Sequence, residues 1–109
     1  MPYNEELAAR VAKNMTEVPG MVEKKMFGGI GYMIDGNMSI GTHRDALMVR
    51  VGLEAYEDCL AQPGARVMDF TGRVMKGWVT VPVGYAETDE QVQYWIRRSL
   101  EFVTTLPPK

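Results

Sequence analysis

The sequence predicts an α+β domain in which one antiparallel sheet is covered by helices. Helical periodicity appears near the two ends and in one short middle segment, two-residue alternation fills the stretches between, and the strand-like runs cluster. Clustered strands pair antiparallel, whereas a parallel nucleotide-binding sheet needs a helix after each strand. A chain of 109 residues is the common size of one domain, so residues 1–109 are taken as a single unit.

The spacing predicts a first helix over residues 4–17. Asn4 suits an N-cap, Glu5 and Glu6 sit where the helix dipole favours anions, and Leu7, Val11 and Met15 form one stripe before Pro19-Gly20. From Val22 to Val51 the alternation is that of strands. Met26, Ile30, Tyr32 and Ile34 fall on one side of a first strand, with Phe27 and Met33 on the other. Asp35-Gly36 then supplies residues that tolerate positive φ, a strong hairpin signal. Met38 and Ile40 begin a second strand, a turn follows near His43-Arg44-Asp45, and residues 46–51 read as a third. Leu53, Tyr56 and Leu60 suggest a short helix closed by Pro63-Gly64. Residues 66–70 and 78–82 read as two further strands, joined by a polar, glycine-bounded connection over residues 71–77 and expected to extend the same sheet. Thr88-x-x-Gln91 is a capping box that opens a long helix with the stripe Val92, Trp95, Ile96, Ser99, Leu100 and Val103, stopped at Leu106-Pro107-Pro108.

Composition excludes several classes. Twelve cations against fourteen anions give a formal charge of −2, and residues 1–54 and 55–109 each carry six cations and seven anions. That balance argues against a protein that coats nucleic acid. The single cysteine, Cys59, cannot form an internal disulfide, and with one histidine, His43, a four-ligand zinc site has almost nothing to use. The N-terminus has no basic start followed by an apolar run, and no stretch of 18 apolar residues exists, so a cytoplasmic protein without a membrane partner is expected.

Phe27-Gly28-Gly29-Ile30-Gly31-Tyr32 fits neither phosphate-loop spacing and reads as a strand bulge, bend or close backbone approach. Of the nine methionines, Met26, Met33 and Met48 are expected to fill the core, whereas Met75, beside Arg73, Lys76 and Trp78, is a candidate contact residue. Lys24, Lys25, Arg50, Arg66, Arg73, Lys76, Arg97 and Arg98 would form a nucleic-acid patch only on one face, with Tyr32, Trp78 or Tyr85 for stacking. Catalysis would need His43, Cys59 and a carboxylate such as Asp69 or Asp35 to converge. Cys59 reads instead as an inert small hydrophobe and His43 as a solvated turn residue, so no catalytic residue, cofactor or metal is assigned and an enzyme is not expected.

Lys25-Met26-Phe27-Gly28-Gly29-Ile30-Gly31-Tyr32, then Asp35-Gly36-Asn37-Met38, then Leu47-Met48-Val49-Arg50-Val51 resemble the N-terminal domain of the TfoX/Sxy competence regulators. Met68-Asp69-Phe70, Gly72-Arg73, Met75-Lys76-Gly77-Trp78 and the helix around Trp95 are similar to its second half. The resemblance implies helix, three strands, helix, two strands, helix in a bacterial cytoplasmic protein. Full-length members act as coactivators of DNA-uptake genes with the cyclic-AMP receptor protein and carry a second, C-terminal helical domain. With its end at Lys109, this chain is expected to be the stand-alone N-terminal type.

The resulting expectation is a small regulatory module acting by protein–protein contact with the transcription machinery or a regulator, with a homodimer as one arrangement. Lys24, Lys25, Arg50, Arg73, Met75, Lys76 and Trp78 are its candidate partner-binding residues. The alternatives are a DNA-binding accessory protein using a local basic patch, and a small-ligand domain with its pocket between the sheet and the long helix, lined by Tyr32, Trp95 and methionines.

Overall fold

The computed structural model describes residues 4–26, 28–70 and 72–109. In chain order it contains α1 (Glu5–Met15), β1 (Met21–Met26), β2 (Gly29–Ile34), β3 (Asn37–His43), β4 (Ala46–Arg50), α2 (Gly52–Leu60), β5 (Arg66–Phe70), β6 (Arg73–Pro82) and α3 (Asp89–Val103). All strand pairings are antiparallel, and the six strands make one sheet in the order β1-β2-β3-β4-β6-β5. The α+β class and the single continuous sheet are as the sequence predicts.

Local chemistry explains the helix starts. Asn4 accepts a hydrogen bond from the backbone N–H of Leu7 at 2.9 Å, capping α1. Thr88 and Gln91 cap α3 reciprocally, with each side chain accepting from the other's end of the box. Lys13 donates to the Asp89 carboxylate at 2.9 Å, and with Asn14 it holds that carboxyl below the usual carboxylate range. The clasp pins α1 to the start of α3.

Three expectations need correction. The first predicted strand is a hairpin of two, β1 and β2, which turns through Gly28 at φ +74°. Gly29 must be glycine for β2 to lie this close to β3, since a Cβ would strike the Thr42 backbone carbonyl. The hairpin also moves Met26 to the face opposite Ile30, Tyr32 and Ile34. The placing of Phe27 lies outside the described residues. The predicted connection before Trp78 is mostly strand: β6 begins at Arg73, and Arg73 and Val74 pair with Phe70 and Asp69 of β5 across a turn through Gly72 at φ +78°. Leu53 does not face the core. It is 71% exposed, and the neighbouring Gly52, at φ +82°, lies against the Phe102 ring where a Cβ would otherwise sit. Cys59 takes the buried position of α2 instead, with Tyr56 and Leu60 packed partly against the core.

The Asp35-Gly36 turn forms as expected, with φ +50° and +86° at its two residues and Ile34 opposite Asn37. His43 ends β3 half-buried, and the following turn belongs to Arg44, at φ +55°, and Asp45.

One core joins the elements. Leu7, Val11 and Met15 of α1, Cys59 of α2, and Val92, Trp95 and Ile96 of α3 pack with Tyr32, Ile40, Leu47, Val49, Val79 and Val81. The helices therefore share one face of the sheet. Tyr32 is fully buried and donates to the Ala8 carbonyl at 3.0 Å. Ser99 of α3 donates to the Ser39 carbonyl at 2.8 Å, and the two hydroxyls lie 2.6 Å apart with neither residue exposed.

Candidate functional site

Among the described residues no helix lies on the other face of the sheet, and register shows what occupies this uncovered face. Residues directly opposite in an antiparallel ladder project to the same face. Lys24 is opposite Gly31, Gly31 opposite Gly41, Gly41 opposite Met48, Met48 opposite Thr80, and Thr80 opposite Arg66. This row crosses all six strands and ends in a cation at each edge. On one side of it lie Val22, Met33 and Met38, with Arg50 opposite Trp78; on the other lie Met26, Ala46 and Pro82.

The adjacent glycines Gly31 and Gly41 leave a trough in this face. A Cβ on Gly31 would lie 3.1 Å from the Met26 sulfur and 3.4 Å from the Met38 methyl, and one on Gly41 would lie 2.8 Å from the Met38 methyl and 3.0 Å from that of Met48. Three methionine ends thus fold over a floor that has no side chains of its own. Met48 is buried by this layer and not by the core, to which Met26, Met33 and Met38 do not belong either. The expectation that Met26, Met33 and Met48 fill the core therefore fails. Flexible thioethers suit an adaptable contact surface. At one corner, the Arg50 guanidinium lies 5.9 Å from the Trp78 ring centroid and 5.5 Å from that of Phe102, and donates to the Met38 carbonyl at 3.4 Å.

Charge separates by layer. Among the described residues, the three helices carry four cations and eight carboxylates, while the six strands carry six cations and two carboxylates. The salt bridges among these residues join helical partners: Lys13 to Asp89, and Arg98 to Asp58 and Glu101. Among the described residues Lys24, Arg50 and Arg66 have no such partner, and the row from Lys24 to Arg66 contains no carboxylate.

The structure spreads the seven candidate partner-binding residues across the sheet. Lys24 and Lys25 are exposed on the edge strand β1, and as neighbours they project to opposite faces. Arg73 and Lys76 are exposed and Met75 half-buried in the part of β6 that runs past β4. Since β1 and β6 are separated by three strands, the first-strand lysines and the Arg73–Lys76 segment do not converge. Lys24, Arg50 and Trp78 share the uncovered face. Sequence reasoning missed Met38 as a surface residue, the Gly31–Gly41 pair and the role of Arg66; the available signal was the alternation of glycine with methionine around the Asp35-Gly36 turn.

The rival readings also have places in the structure. Tyr32 is enclosed and cannot stack on a base, whereas Tyr85 is 46% exposed. Cys59 is buried, burial pushes its thiol pKa up, and the charges that act on it are Arg98, Asp58 and Glu101. Tyr32 and Trp95 are packed in the core, so the space between sheet and α3 is filled by side chains. A cleft of about 500 Å³ lies further out, between α2 and α3, lined by Leu53, Glu54, Arg98 and Phe102. Among the described residues no helix is long and apolar enough to cross a membrane, and no three His, Cys, Asp or Glu side chains group as metal ligands would.

No curated protein matches this chain. The family model described as the TfoX N-terminal domain matches residues 13–103, from the last turn of α1 to the end of α3. With all six strands, α2, α3 and the glycine-methionine face inside that span, the chain belongs to the TfoX N-terminal domain family.

Proposed function

We propose that this protein is a regulatory module that works by contact with another protein through the uncovered face of its sheet, in the transcriptional control of competence-type genes that its family suggests. The observation that carries the reading is the methionine layer over Gly31 and Gly41, on the side of the sheet away from the core. An apolar surface rimmed by polar residues is a typical contact site. Its makeup supports the reading further, because Met, Trp and Arg are the side chains enriched in protein interfaces. Arg50, held beside the Met38 carbonyl and the Trp78 ring, would orient a partner without supplying chemistry.

The test is a Met38→Asp/Met48→Asp variant, which places two carboxylates on this face and leaves the core untouched. Transcript profiles are compared after expression of the wild-type chain and of the variant in a strain lacking the gene. The wild-type chain is expected to change a defined set of transcripts and the variant, at equal abundance and with the same circular dichroism, to change none of them. Equal profiles would remove the proposal.

A further inference from the structure

We infer that the occupant of the uncovered face is an acidic amphipathic helix of a partner protein, whose apolar stripe lies on the methionines and whose carboxylates meet Lys24 on one margin and Arg66 on the other. The inference rests on the protein-contact reading above and adds the chemistry of the partner.

Charge comes first. The face presents Lys24, Arg50 and Arg66, without an ion-pair partner among the described residues, and the central row from Lys24 to Arg66 holds no carboxylate. A second copy stacked through the same face would bring cations against cations, a juxtaposition that interfaces avoid. An acidic occupant answers all three.

Dimensions come next. The central row spans five strand spacings, about 24 Å at about 4.8 Å each. Lys24 and Arg66 are both exposed, and their long stems can lean inward over the apolar floor while the charged heads stay wet. The remaining gap matches one helix, about 10–12 Å across with its side chains. The trough at Gly31 and Gly41 lies between the two margins, and the methionine ends over it can repack around whichever apolar side chains arrive.

Nucleic acid fits less well. Between the terminal cations the row holds Gly31, Gly41, Met48 and Thr80, with no ring on which a base could stack. Trp78 stands at a corner beside Arg50.

The test uses the whole chain and two synthetic 18-residue helical peptides that share one leucine stripe, flanked by glutamates in one and by lysines in the other. Binding is followed by peptide fluorescence anisotropy, with circular dichroism to confirm that each protein variant folds. The glutamate peptide is expected to bind at least about tenfold tighter than the lysine peptide, with an affinity that falls as salt rises. Lys24→Glu/Arg66→Glu is expected to reverse that order. Equal binding of the two peptides, or an unchanged preference in the double variant, overturns the inference. So does displacement of the glutamate peptide by a single-stranded oligonucleotide, or self-association of the chain that Met38→Asp abolishes. If the peptides fail while Met38→Asp/Met48→Asp still silences the transcript response, the face remains a protein contact and only the acidic helix is refuted. If both fail, the contact reading falls with it.

Discussion

Replacing Ser99 by alanine should destabilise the fold far more than the loss of one small side chain suggests. Met38 and Ile40 are the residues of β3 that pair with Met33 and Tyr32, so Ser39 between them is the extra residue of a bulge. The Ser99 hydroxyl satisfies the Ser39 carbonyl at 2.8 Å. Having spent its one proton there, Ser99 must accept from the Ser39 hydroxyl at 2.6 Å. Ser99→Ala therefore orphans a carbonyl and a hydroxyl together, in a place with no access to water. Buried groups left unsatisfied cost about 1–3 kcal/mol, so the pair should cost about 2–3 kcal/mol. For a domain of this length that is a fall in Tm of about 10 °C. Removing Ser39 as well leaves only the carbonyl unsatisfied, so Ser39→Ala/Ser99→Ala should be less damaging than the sum of the single changes by about 1 kcal/mol. Urea unfolding followed by the fluorescence of Trp78 and Trp95 reads all four proteins. A Ser99→Ala effect below about 0.5 kcal/mol, or strict additivity, would refute the reasoning.

Two further expectations concern glycine and cysteine. Gly29→Ala should cost about 3 kcal/mol, because its Cβ meets the Thr42 backbone and not a side chain that can swing away, while Gly28→Asn at φ +74° should cost less than about 1 kcal/mol; urea midpoints showing the reverse order would be against the hairpin geometry. The raised pKa of the buried Cys59 thiol means that the native state holds its proton more tightly than the unfolded chain does. The corresponding stability is whole below the unfolded thiol pKa and is lost as pH climbs through the native value, so the stability difference between wild type and Cys59→Ala should shrink at alkaline pH, and a constant difference would contradict burial as the cause.

The two capped helices and the Asp35-Gly36 turn were legible in the sequence because each depends on residues within four positions of one another. The capping box of Thr88 and Gln91 needs nothing from the rest of the chain. The β1–β2 hairpin was not legible. Its turn lies inside a glycine run flanked by uninterrupted alternation, and the constraint that requires glycine at position 29 is a carbonyl of β3, remote in sequence. The uncovered face failed for a related reason. Counting back from the Asp35-Gly36 turn, with Ile34 opposite Asn37, an unbulged ladder would set Gly31 against Ile40 and leave the two glycines apart. The extra residue at Ser39 shifts the register by one and brings Gly31 opposite Gly41. A bulge stabilised by a serine on α3 is a tertiary fact, and without it the methionines look like core.

The same reasoning explains why net charge misled. A formal charge of −2, spread evenly over both halves of the chain, describes a weak average field. Charges at a protein surface act over about 8 Å at physiological salt, so a partner meets one face and not the average. In this fold helices and strands alternate in blocks along the chain but separate in space, and the eight helical carboxylates end up on the layer opposite Lys24 and Arg66, with Arg50 at the corner beside Phe102 of α3. Helix first turns collect acids because the dipole favours them, as at Glu5, Glu6, Asp89 and Glu90. The lysines of β1 occupy an open sheet edge, where charge also prevents edge-to-edge association. Two structural habits, each with its own cause, thus leave a cationic, methionine-lined sheet face on a protein that is acidic as a whole.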